Sequence, residues 1–225
     1  MVTDKLPKAV IYKDGKLSFL DQTKLPMYEI YEEQHTPEQI YNSIKMLKVR
    51  GAPAIGIAGA YGLVVSVKKY INEPVDKFIM ELKKTGEYLN SSRPTAVNLS
   101  WAVNRIIQRA ENSFFNSSNE LWYELEREAE NIYNEDKKIC ANIGRYGAEL
   151  IYDNFGILTH CNAGALAVSE LGTALSPIYT ALNEGKTFKV YADETRPLLQ
   201  GARLTSYELQ TCLLYTSDAA DDMQC

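Results

Sequence analysis

Apolar and polar residues along the chain first fall into two short strands. Ala9, Val10, Ile11 and Tyr12 lead to Asp14-Gly15, and Leu17, Phe19 and Leu20 follow. Asp-Gly between two apolar runs predicts a hairpin over residues 9–20. A loop through Asp21-Gln-Thr-Lys-Leu-Pro26 precedes a helix with a clear start. Thr36 is its N-cap, Pro37 its first residue and Gln39 its third. Ile40, Ile44 and Leu47 share its apolar face. A second helix spans about Ala54 to Tyr70 and is apolar almost all round, which predicts central burial. Its Gly56, Gly59 and Gly62 suit a neighbour or a ligand packed close to the backbone.

A helix over Val75–Leu89 comes next, and Ser91–Asn98 starts another. Residues 113–119 form a polar break. A long helix from about Leu121 to Leu150 is predicted to turn Leu121, Leu125, Ile132, Ile139, Ile143 and Leu150 inward. The character changes at Phe155. Phe155–His160 reads as a buried strand, Cys161–Gly164 as a small-residue turn and residues 165–183 as a helix stopped by Gly185. Thr187–Ala192 reads as a second strand. Strand, helix and strand in that order build a parallel sheet with a right-handed crossover. Thr211–Tyr215 offers one more short apolar run, and an acidic stretch, Ser217–Asp222, follows it. Two parallel strands are not a domain, so the sheet domain is expected to be cut short; the alternative is a short third strand with a frayed tail.

The fold class expected is therefore α/β. A helical N-terminal domain with a small β-hairpin spans residues 1–120. The long helix and the start of a Rossmann-like parallel-sheet domain span 121–209, and a tail covers 210–225.

Of the 225 residues, 45% are apolar and 24% charged, which fits a packed core rather than disorder. The net charge of −5 gives no general attraction to nucleic acid or acidic membranes, so an anionic ligand needs local positive groups. The start carries no basic-then-apolar leader, and no apolar run is long enough to span a bilayer. Cys140, Cys161, Cys212 and Cys225 show no metal or CxxC spacing. A cytoplasmic protein with free thiols is expected.

Three segments place an arginine beside a proline ahead of a helix: Arg50-Gly-Ala-Pro53, Arg93-Pro94 and Arg196-Pro197. A helix N-terminus is already electropositive, so an extra guanidinium there suits a bound anion such as phosphate. The alternative is a local carboxylate partner, and Asp193 and Glu194 offer one to Arg196. Cys161 lies just past a strand, at the sheet edge where open α/β folds bind ligands. It is either a group of the site or a buried structural cysteine. Cys140, inside a helix, reads as core. His160 faces away from Cys161 along the strand, which argues against a Cys–His pair. Asp193 could contact sugar hydroxyls or move a proton, or it could cap a helix or pair with Arg196. Gln200 and Arg203 follow. No basic-aromatic cluster points to nucleic acid, and the Arg50–Gly59 loop lacks a Walker lysine.

Several segments together resemble one family, from about residue 9 to 209. They are Leu20–Pro26, Val49–Gly56, Ser92–Leu99, Thr159–Leu166 and Asp193–Thr205. The chain is similar to methylthioribose-1-phosphate isomerases. The wider family also holds ribose-1,5-bisphosphate isomerases and regulatory subunits of a translation-initiation exchange factor. The resemblance implies an aldose–ketose isomerisation in methionine salvage, without metal or nucleotide. It further implies a small-molecule sugar phosphate as partner, no nucleic acid or membrane partner, and a homodimer. By resemblance, Arg50, Gly51, Ala52, Arg93 and Gln200 bind substrate, and Cys161 is catalytic. The family also uses a later Asp and an Asn-Lys pair. After Glu208-Leu209 the resemblance is expected to stop. Gln210–Asp222 looks like translated sequencing-adapter sequence, and none of its acidic residues is assigned the Asp role. A polypeptide so ended is expected to be inactive and poorly folded at its C-terminal end.

Overall fold

The computed structural model describes residues 2–112, 114–212 and 216–218. They form two compact units, one of Val10–Asp21 and Ile30–Glu135, the other of Met1–Ala9, Gln22–Glu29 and Asp136–Cys225.

The first unit opens with the expected hairpin. Strands β1 (Val10–Lys13) and β2 (Lys16–Leu20) pair antiparallel about Asp14-Gly15, both at positive φ. A third strand, β3 (Tyr31–Gln34), adds to β2 and was not expected. Of its Tyr-Glu-Glu-Gln only Gln34 is buried, and Gln34 Oε1 accepts from Ser43 Oγ at 3.1 Å. No apolar alternation marks such a strand, because it is held by ladder bonds and one buried amide.

Helix α1 (Pro37–Lys45) begins with the capping box read from the sequence. Thr36 Oγ1 accepts from Gln39 N–H, and Gln39 Oε1 accepts from Thr36 N–H at 3.1 Å. Helix α2 (Ala52–Val67) is buried on nearly every side. A Cβ at Gly56 would lie 2.9 Å from the Asn98 carbonyl oxygen, and one at Gly62 2.7 Å from Ile40 Cγ2. Neighbouring elements, rather than a ligand, account for those two glycines. Helices α3 (Val75–Asn90) and α4 (Val97–Glu111) pack around α2, and Trp122 donates its indole N–H to the Val64 carbonyl at 2.9 Å.

Helix α5 (Ser118–Ala148) runs through the division between the units. Leu121, Leu125 and Ile132 are buried as expected. Ile139, Ile143 and Leu150 are not, at 56%, 37% and 72% exposure. The inward residues of that half are instead Cys140, Gly144 and Ala148, spaced four apart. Ser176 Oγ donates to the Cys140 carbonyl, and a Cβ at Gly144 would lie 2.4 Å from that same Oγ. Close packing of two helices selects small residues, so the large apolar stripe faces outward.

In the second unit β4 (Gly156–Thr159), β5 (Lys189–Ala192) and β6 (Thr216–Asp218) pair in parallel, in that order. β4 lies at the edge and is not the buried strand expected, since Leu158 is 65% exposed. The helix expected over 165–183 is shorter. A single 3-10 turn covers Ala165–Ala167, and α6 is Ser176–Asn183. Positive φ at Leu171 and Gly172 breaks the helical path between them. Gly185 does end α6, at φ 83. Thr211 closes a helix, α7 (Ser206–Thr211), preceded by a π-helical turn at Gly201–Thr205. The strand suggested at 211–215 is thus absent at Thr211, and residues 213–215 lie outside the described residues. Ile178, Tyr179, Ala181, Val190 and Leu209 form the core between sheet and helices.

Candidate active site

In the first unit the chain turns into α2 through Gly51, the N-cap, at φ 91. A positive φ of that size favours glycine over any residue with a Cβ. The first N–H groups of α2 have no partner within the helix. Ala52, its first residue, is exposed, and Arg50 is half-buried beside the turn. Arg93 is also half-buried, in the turn before α4. Among the described residues neither guanidinium meets a carboxylate, unlike Arg105, which grips Glu128 and Glu135. Its guanidinium pulls the Glu135 carboxyl below the usual range.

In the second unit the third arginine behaves differently. Arg196 is exposed and pairs with Glu194 at 2.9 Å, the local carboxylate that its neighbourhood suggested. Asp193 pairs instead with His160, Oδ2 to Nδ1 at 3.0 Å, which the sequence reading missed. That pair lies at the carboxyl ends of β4 and β5, where Asp193 N–H donates to the Thr159 carbonyl.

Cys161 follows β4 by two residues and adopts φ 62, left-handed backbone that a residue with a Cβ seldom takes. Both of its main-chain groups are held by side chains. Its N–H donates to Thr195 Oγ1 at 2.9 Å, and its carbonyl accepts from Thr205 Oγ1 at 2.6 Å. Its side chain is half-buried, whereas Cys140 and Cys212 are fully buried. Burial pushes the Cys140 and Cys212 thiols up to about 12, so neither forms a thiolate near neutral pH.

The residues after Cys161 are pinned by one carboxylate. Glu208 on α7 is completely buried. Its Oε1 accepts from Asn162 Nδ2 at 2.8 Å and Leu166 N–H at 3.2 Å. Its Oε2 accepts from Ala165 N–H at 2.6 Å and Tyr179 Oη at 2.9 Å. Burial raises the Glu208 pKa, against the pull of those four donors, and its charge helps to raise that of Tyr179. Gln200, half-buried on the same unit, keeps its Oε1 buried without a hydrogen-bond partner among the described residues. Arg203 is structural, since its guanidinium donates to the carbonyls of Gln22, Leu25 and Leu198 at 2.9–3.3 Å. Gln22 Nε2 donates in turn to the Leu166 carbonyl at 2.9 Å. The Gln22–Leu25 stretch thus braces the same turn.

The profile of the Initiation factor 2 subunit family matches residues 48–215, which include every one of these groups except Gln22 and its neighbours. The chain belongs to that family. Among the relatives of this family member is a 5-deoxyribose 1-phosphate isomerase of Petrotoga mobilis. It is 49% identical over 209 residues, which are 93% of this chain and 60% of the relative. Two solved structures superpose with TM-scores of 0.89. One is a translation initiation factor eIF-2B subunit delta from A. fulgidus, 40% identical, with 96% of this chain and 63% of that one covered. The other is a 5-methylthioribose 1-phosphate isomerase from Pyrococcus horikoshii, 36% identical, covering 99% and 64%. The chain spans about 60% of the length of the curated relatives it matches. No helix among the described residues is long and apolar enough to cross a membrane.

Proposed function

We propose that this chain forms the greater part of a sugar-phosphate isomerase that converts an aldose 1-phosphate into the ketose 1-phosphate. What carries the reading is similarity to named sugar-phosphate isomerases over 93% of the chain, together with a half-buried thiol on left-handed backbone at a parallel sheet's carboxyl edge. In this reading Arg50, Gly51, Ala52 and Arg93 are the first unit's substrate-binding groups. Guanidinium and helix N–H donors suit phosphate oxygens. Cys161 is the second unit's catalytic group, and Gln200 binds substrate. The unpartnered amide oxygen of Gln200 suits a sugar hydroxyl as donor.

A phosphate on the anomeric carbon prevents simple hemiacetal opening. Hydrogen must move from C2 to C1 with help from groups shielded from water, and a positioned acid or base typically contributes about 10²–10⁴-fold. The substrate we favour is 5-methylthioribose 1-phosphate, named for the Pyrococcus structure. 5-Deoxyribose 1-phosphate, named for the Petrotoga relative, differs only in what replaces the 5-hydroxyl. A regulatory subunit without catalysis is the second reading, favoured by the A. fulgidus initiation factor at 40% identity.

The test is turnover by the full-length gene product on three substrates: the two above and ribose 1,5-bisphosphate. One 5-deoxy sugar should dominate, and Cys161→Ser should lower kcat at least about 10²-fold. No turnover on any of them, with partner subunits recovered instead, refutes the enzyme reading.

A further inference from the structure

The turn that carries the thiol is made from distant sequence. Its backbone at Cys161 lies in a region that costs a residue with a Cβ free energy unless surroundings hold it there. Two devices hold it. Thr195, itself at φ 62, accepts from the Cys161 N–H and donates to the Asp193 carbonyl at 3.2 Å. It thereby ties the thiol's backbone to the end of β5. Glu208 takes the three donors of the next residues, Asn162, Ala165 and Leu166, from within the core.

Each oxygen of Glu208 faces one backbone N–H. A glutamine would set its NH₂ against one of those donors in either orientation, so the site is specific for a carboxylate. Neither side chain is part of the substrate-binding set above, and both act on the conformation from which Cys161 projects.

We propose that Glu208 and Thr195 are positioning residues for Cys161, fixing the turn from which its thiol is presented. The proposal rests on Cys161 as the reacting group, but its test does not use turnover. Iodoacetamide alkylation of the folded 225-residue chain, resolved by peptide mass spectrometry, reads Cys161 separately from the buried Cys140. Thr195→Val removes the acceptor with little change of shape, and Glu208→Asp shortens the pin by one methylene. Each should speed alkylation of Cys161 about fivefold to tenfold, as expected when one net hydrogen bond no longer closes the turn. Cys140 should stay protected in both.

Ile178→Ala, a core truncation that weakens the same unit, serves as the comparison. It should leave the Cys161 rate at the wild-type value. Unchanged or slower alkylation in the folded variants overturns the proposal, as does an equal acceleration in Ile178→Ala. If Glu208→Asp fails to fold, Thr195→Val decides by the same outcomes. Accelerated alkylation beside full turnover in the full-length Cys161→Ser protein would leave the positioning intact and refute the assigned chemistry.

Discussion

Replacing Gly164 with alanine isolates the fit between the cysteine turn and Glu208. Gly164 has φ −99 and ψ −160, extended backbone that alanine adopts freely, so no conformational strain confuses the result. The added Cβ would lie 2.1 Å from Glu208 Oε2, 2.6 Å from Cδ and 2.7 Å from Oε1. These atoms cannot retreat while keeping their bonds, because four donors hold the carboxylate on both sides. If the carboxylate is driven off, the Ala165 and Leu166 N–H groups remain buried without acceptors, at roughly 1–3 kcal/mol each. Alanine returns about 0.4–1 kcal/mol by restricting the unfolded chain. The net expectation is a loss of about 1–5.5 kcal/mol. Tryptophan fluorescence will not report it, since Trp101 and Trp122 both belong to the first unit. Hydrogen exchange of peptides from β4, α6 and α7 will. A loss below about 1 kcal/mol there, measured against unchanged exchange in α2–α4, would show that the turn shifts freely and that Glu208 does not fix it.

Three further outcomes follow from the same contacts. Thr36→Ala should cost about 1 kcal/mol in urea unfolding of the first unit, because it removes half of the capping box. Arg50→Ala and Arg93→Ala should each change stability by less than about 0.5 kcal/mol, as neither guanidinium meets a carboxylate among the described residues. A clear destabilisation in those same melts would give the arginines a structural role instead. The Glu208 pKa is raised on folding, because burial disfavours the charged carboxylate relative to the unfolded chain, against the pull of its four donors. Its contribution to stability is therefore complete below the ordinary carboxylate range and is lost as pH rises through the folded pKa. The stability difference between wild type and Glu208→Ala should shrink with rising pH, and growth in that titration would reverse the sign.

Much of the architecture could be read along the chain because local chemistry agreed with the tertiary outcome. Asp14-Gly15, the Thr36–Gln39 box and the stop at Gly185 each need only their neighbours in sequence to act. The failures have a common cause. β3 is polar, and its strand form comes from pairing with β2 rather than from its own side chains. The large residues of the second half of α5 predict the wrong face, because it packs through Cys140, Gly144 and Ala148, which recur every fourth residue but carry little apolar bulk. The helix expected from residue 165 is interrupted by positive φ at Leu171, a conformation that leucine does not announce. For the site, Arg50, Arg93 and Cys161 stood out by helix polarity and strand end. Thr195, Thr205 and Glu208 did not, because nothing local distinguishes a threonine that caps a distant amide from one that meets water. Glu208, between Tyr207 and Leu209, looks like an ordinary solvated helix residue, although Thr195 and Thr205 lie inside the Asp193–Thr205 motif.

The energetics of Glu208 suggest why so demanding a group sits there. Removing a carboxylate from water is costly, and burial raises its pKa despite four hydrogen bonds. An apolar side chain filling the same volume is often as stabilising as a buried charge, or more so, where both partners can change. Here the partners are main-chain N–H groups of Ala165 and Leu166, which substitution cannot remove. An apolar residue at position 208 would leave those donors orphaned, so the turn and the carboxylate require one another. The turn in turn allows Cys161 its left-handed backbone two residues past a strand. An unpinned chain would relax toward extended structure at that point, and alternation along the strand would swing the Cys161 side chain away from its present direction. Stability alone gives no reason for such an arrangement. A fixed direction for one thiol does.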